Sequence, residues 1–177
     1  MGCTASSLRI LPGVGRLKLL THYVFSTGLL ALAATSMGAA FPSALFISLI
    51  TSVMGNSIID GLGHEERGGY VRRTPLTHTV PRSIAWGAVP GIIISLLLAY
   101  GSQWRVTPLA VIVLLSNLLL GPSHMFLDAF TERGIYVKRR GRWVRFAIAH
   151  ISYGNSLANG AAMIVGSLML FAAFSVH

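Results

Sequence analysis

Apolar runs close to twenty residues long alternate along this chain with short polar intervals. Five such runs stand out, at about 19–40, 43–59, 84–100, 106–128 and 157–176. A helix rises 1.5 Å per residue, so about 20 apolar residues cross the hydrocarbon core of a bilayer. The pattern predicts an all-α polytopic membrane protein with about five transmembrane helices. Residues 1–18 read as a basic leader, and 19–177 as a single transmembrane helical domain.

Breakers subdivide the pattern. Phe41-Pro42-Ser43 leaves room for only a tight turn between the first two spans. Pro90-Gly91 would kink the third, and Gly121-Pro122 interrupts the fourth near its end. Between the second and third spans lies the longest polar interval, 56–82, which gathers Asp60, His64, Arg72, Arg73 and His78. After the fourth span, 142–151 mixes Trp143, Val144, Phe146 and Ile148 with arginines, the pattern of an interfacial helix. Gly63, Gly68, Gly69 and Gly134 read as turn formers.

Composition sharpens this reading. The chain is 53% hydrophobic and 11% charged, with a mean hydropathy of +0.67. Its one cysteine, Cys3, excludes an internal disulfide framework and a cysteine-rich zinc site, which leaves any metal to His, Asp or Glu. The net charge of +9 fits anionic lipid headgroups or an anionic substrate, and also the excess of Lys and Arg that cytoplasmic loops collect. With the N-terminus inside, the leader, the central interval and the interval after span four hold every Lys and Arg except Arg105. This predicts a plasma-membrane protein with a cytoplasmic N-terminus and an external C-terminus. The basic stretch 138–145 is explained by a membrane surface, so no nucleic acid is expected as partner. The opening Met1-Gly2-Cys3 fits the loose N-myristoylation pattern, but a plain flexible leader is the preferred reading.

The same topology places six polar residues at one membrane face. They are His22, Asp60, His64, His78, His124 and Asp128. Asn56, Asp60 and His64 recur every four residues and share a helix face if the helix continues, and His124 and Asp128 repeat that spacing. Imidazoles and carboxylates together suit a divalent metal ion, Zn²⁺ or Mn²⁺ foremost, with either Asp as ligand or as the partner that orients a ligating His. Arg72 and Arg73 offer paired donors to a phosphate. The set therefore predicts a metal-dependent hydrolase of an ester or phosphoester, lipid-linked in one version, with Asp60, Asp128, Arg72 and Arg73 at the reaction. Its rival is a structural or assembly protein whose His and Asp residues tie helix ends together. Transport is weaker, because the ionisable groups cluster at one face and the last span has none. Oligomeric state is not readable here.

These motifs carry a resemblance. Thr21-His22-Tyr23 with Gly28, Asp60 with His64, Arg73-x-x-x-Thr77-His78-Thr79, and His124-x-x-x-Asp128-x-x-Thr131-x-x-Gly134 resemble the membrane-bound, predicted metal-dependent hydrolases of the YdjM type. The first span is similar to a small archaeal membrane family of unknown function. The resemblance implies His22, Asp60, His64, His78, His124 and Asp128 as the metal-site residues. Many relatives show two acidic residues before the second histidine motif, whereas this chain has Asp60 alone, which weighs against a two-metal site.

Overall fold

The computed structural model describes residues 14–67 and 70–176. Among these it holds six helices and two small hairpins. The order is α1 (Val14–Ser36), α2 (Phe41–Gly63), β1 (His64–Arg67), β2 (Tyr70–Arg73), α3 (Val80–Gly101), α4 (Pro108–Asn117), α5 (Leu120–Ala129), β3 (Ile135–Arg139), β4 (Arg142–Phe146) and α6 (Ser156–Ser175). With α4 and α5 counted as one broken span, five segments are long and apolar enough to cross a membrane. The protein is thus an all-α polytopic membrane protein. Helix α1 begins inside the segment read as a leader, and the lipidation motif lies outside the described residues.

Local chemistry sets the ends of the helices. Gly38 has φ +95, with its N–H on Thr35 O at 2.9 Å, and Ala39 N–H reaches Ala34 O at 3.0 Å. That left-handed residue closes α1 through two orphan carbonyls. Phe41 and Pro42 then open α2, so the tight turn falls before the proline. Thr107 caps α4 by accepting from Ala110 N–H, and Asn155 caps α6 by accepting from Ala158 N–H. The fourth span breaks at 118–119, four residues before Pro122, where the proline ring meets the carbonyl at i−4.

The bundle inverts the soluble pattern. Small polar residues such as Ser26, Ser48, Thr51, Ser52, Asn56, Ser83 and Ser123 are buried between helices, while Leu96, Leu97, Leu168 and Phe171 are exposed. A bilayer covers those apolar faces, and small residues let helices approach closely. Helix α1 is central, packing on α2, α5 and α6, while α3 packs on α2, α4 and α5. Leu30, Ile59, Leu120, Met125, Ala129 and Ile135 form the apolar core beneath the polar end.

Two segments depart from expectation. The middle of the central interval, 64–73, is a hairpin, β1 and β2 running antiparallel with His64 opposite Arg73 and Glu65 opposite Arg72. The stretch 142–151 is no interfacial helix: it is strand β4, paired with β3, followed by a loop. Arg140 and Gly141 both have positive φ, as a two-residue hairpin turn requires, and the flanking Ile-Tyr-Val and Trp-Val-Arg-Phe runs favour strand.

Candidate functional site

Four elements bring the predicted residues to one end of the bundle. His22 comes from α1, Asp60 from the last turn of α2, His78 from the residues before α3, and His124 with Asp128 from one face of α5. Helix α2 ends at Gly63, so His64 does not extend the Asn56–Asp60 face. It turns into extended backbone at φ −106 and ψ 129, and its Nδ1 lies 2.7 Å from Asp60 O. That carbonyl only accepts, which puts the proton on Nδ1.

The centre of the cluster is a ring of four atoms. His78 Nε2 lies 3.5 Å from Asp60 Oδ1 and 3.6 Å from Asp128 Oδ2. His124 Nε2 lies 3.4 Å from each of the same two oxygens. All four atoms are buried without a hydrogen-bond partner. An unsatisfied buried polar atom costs about 1–3 kcal/mol, so four of them turned on one point call for something that all four can bind.

Neighbouring groups fix which atoms face inward. Asn56 Oδ1 lies 2.7 Å from His124 Nδ1 and can only accept, so Nδ1 donates. Thr77 gives its one hydroxyl proton to Ile59 O at 2.7 Å, so at 2.9 Å it accepts from His78 Nδ1. With Nδ1 carrying the proton, the neutral form of each imidazole turns a bare Nε2 toward the carboxylates, the form that a cation would select. Burial holds the His78 imidazole below its ordinary pKa, which keeps it neutral.

This donor set fits a divalent cation. Neighbouring ligand atoms about 2.0–2.2 Å from one divalent ion stand about 2.8–3.6 Å apart, and the four spacings around the ring lie at the upper end of that range. Charge agrees: among the described residues Arg73 is the one buried guanidinium, it pairs with Asp128, and the Asp60 carboxylate is left without a guanidinium or ammonium partner. His22, stacked on His124 at 4.1 Å, reaches Asp128 Oδ1 with Nε2 at 3.5 Å. His22, His124 and Asp128 form one group whose ligand atoms lie within 4.8 Å of one another, and Asp60, His64 and His78 form a second.

The arginines separate. Arg73 is buried, with Nη2 donating to Asp128 Oδ1 at 2.6 Å and Nη1 to Gly134 O at 3.0 Å, so it holds a carboxylate of the protein and does not stand open as a phosphate clamp. Arg72, the preceding residue on the strand, is exposed on the opposite face across from Glu65. Gly63 is a point of close approach, since a Cβ there would meet Thr77 Oγ1 and the His78 ring. Gly134, at φ +58, is a turn former.

Residues that sequence reading gave no role also belong here. Asn56 and Thr77 fix the imidazoles, and Tyr136 donates to Arg73 O at 3.0 Å. Tyr153 lies under both Arg73 and Arg133, their guanidinium carbons 5.5 and 5.6 Å from its ring centre. Burial first, then the Asp60 charge, raise its phenol to about 12.

The family described as proteins of unknown function, DUF1286, matches residues 17–127. The chain belongs to the DUF1286 family. The match takes in His22, Asp60, His64, Arg73, His78 and His124 and stops one residue before Asp128. The β3–β4 hairpin and α6 lie beyond it. No curated protein and no solved structure matches the chain.

Proposed function

We propose that this protein is a membrane-embedded, metal-dependent hydrolase of an ester or phosphoester, working at the cytoplasmic face of the plasma membrane. The observation that carries the reading is the ring of four buried, unpartnered donor atoms on His78, His124, Asp60 and Asp128. These four would hold the ion, Zn²⁺ or Mn²⁺, with His22 and His64 flanking it. A divalent ion in such a setting supplies Lewis acidity and lowers the pKa of water toward about 7. The excess of Lys and Arg in the polar intervals at this end supports the cytoplasmic orientation.

The remaining tasks fall to side chains. Arg73 fixes Asp128 through its 2.6 Å ion pair and offsets one of the two carboxylate charges. Asn56 and Thr77 hold two imidazoles in the tautomer whose Nε2 faces inward. His64 is partly exposed and has its proton on Nδ1, so its Nε2 can take a proton from water as the water oxygen bonds to carbon or phosphorus. The His64 imidazolium then gives that proton to the departing alkoxide, which balances the hydrolysis.

The test uses detergent-purified protein stripped by a chelator and reloaded with Zn²⁺ or Mn²⁺. Chromogenic carboxylic and phosphoric esters and a phospholipid panel serve as substrates. Hydrolysis that returns only with metal, and is absent from a folded Asp60→Asn variant, supports the reading. If no ester of any class is cleaved by the reloaded protein, or stripping leaves the rate unchanged, the hydrolase reading falls and the helix-tying role takes its place.

A further inference from the structure

A cavity of about 560 Å³ opens beside the cluster, between α1, α5 and α6. His22 lines it and connects it to Asp128 through the 3.5 Å contact. Its walls change character with depth. Near the polar end stand Ser152 and Tyr153, and deeper, within the spans, Phe25, Phe126 and Val165. The volume is that of a site for a small organic molecule.

The helix packing explains why the space exists. Gly28 and Gly166 let α1 and α6 touch backbone to backbone, for a Cβ on Gly28 would meet the Gly166 carbonyl. Seven residues earlier on both helices, Thr21 donates to Asn159 Oδ1 at 3.1 Å. The pair is therefore pinned at two levels about 10 Å apart. Between those levels Ala161 and Ala162, with Ala158 just before the first, present only methyl groups to the cavity. Their small side chains leave open a slot at bilayer depth.

The mouth carries charge. Arg133 is exposed and stacks on Tyr153, a cavity-lining residue, so a cation stands where the slot meets the membrane surface. An apolar slot in the hydrocarbon layer, a polar rim and an accessible guanidinium together match one amphiphile, a lipid with an anionic phosphate headgroup.

We propose that this cavity binds one hydrocarbon chain of an anionic phospholipid, with the headgroup phosphate at Arg133 and the headgroup ester bonds beside His22. This rests on the hydrolase reading for its consequence, that the lipid is the substrate, but the binding stands on the cavity alone.

The experiment places the purified protein in phosphatidylcholine vesicles with a trace of phosphatidylglycerol carrying a photoreactive group at the chain end. Labelled residues are mapped by mass spectrometry, and metal content is measured on the same samples. Labelling is expected at Phe126 and Val165. It is expected to be lost in Ala162→Trp, and in the milder Ala158→Leu should the first not fold, with metal content unchanged. Arg133→Gln is expected to lower labelling by about fivefold, to the level of a photoreactive phosphatidylcholine. Labels spread evenly over the exposed faces of α3 and α6, or undiminished cavity labelling in the filled variants, would overturn the proposal. Metal without cavity labelling refutes the lipid site alone. Cavity labelling without metal leaves the site standing and refutes the hydrolase.

Discussion

One methyl group tests the geometry of the cluster without changing any charge. Gly63 ends α2, and a Cβ placed there would meet Thr77 Oγ1 and the Cε1 and Nδ1 atoms of His78, well inside the 3.0 Å limit that real Cβ contacts respect. Ordinary contact begins near 3.4 Å, so in Gly63→Ala the imidazole must retreat by about 1 Å. Thr77 cannot absorb the shift freely, because its hydroxyl is tied to Ile59 O at 2.7 Å. Overpacking of this kind costs about 1–3 kcal/mol. Displacing His78 together with its orienting hydroxyl is expected to weaken metal binding by about 10–100-fold. Gly61→Ala is the control, since nothing lies within 4 Å of its Cβ and alanine favours a helix by about 1 kcal/mol. The assay is competition with a chromophoric chelator on detergent-purified protein, beside thermal unfolding. Wild-type metal affinity in a folded Gly63→Ala protein would refute the placement of His78 as a ligand.

Further expectations follow from the same contacts. Asn56→Leu removes the acceptor that holds His124 Nδ1 and leaves all four donors in place, so metal affinity is expected to fall about 10–100-fold in the same competition assay. Arg73→Met strips Asp128 of its only 2.6 Å cationic partner, and the metal-free protein is expected to lose about 3–5 kcal/mol of stability in detergent unfolding. Added metal should restore part of that loss. Tyr153 has its phenol raised to about 12, so its contribution to stability is present below its ordinary value of 10.0 and is lost as pH rises toward 12. The ultraviolet difference titration between wild type and Tyr153→Phe should show that late midpoint, and a midpoint at 10.0 would contradict the burial of the ring.

The spans were legible because hydropathy over twenty residues is a strong signal, and each of the five found its helix within a few residues. Convergence of His22, Asp60, His78, His124 and Asp128 was legible for a related reason: spans alternate in direction, so the ends of spans one, two, three and four fix a common face. The atoms were not legible. Which nitrogen of His124 turns inward depends on Asn56, a partner on another helix. The contrast between Arg72 and Arg73 depends on strand alternation, hidden until 64–73 is recognised as a hairpin. In 135–146, charge mixed with aromatics masked the two-residue turn at Arg140-Gly141. The cavity was beyond reach, since it depends on Ala158, Ala161 and Ala162 of α6 standing against α1, a pairing of the first and last spans that no local pattern announces.

Metal content decides whether the ring of His78, His124, Asp60 and Asp128 is a cation site. Protein purified in detergent, exposed to Zn²⁺ or Mn²⁺ and freed of excess ion, is compared by elemental analysis with a folded His78→Ala, Asp128→Ala double variant. Stoichiometric metal is expected in the wild type, with its loss from the variant. Metal absent from both after reconstitution with either ion, or equal in both, would contradict this.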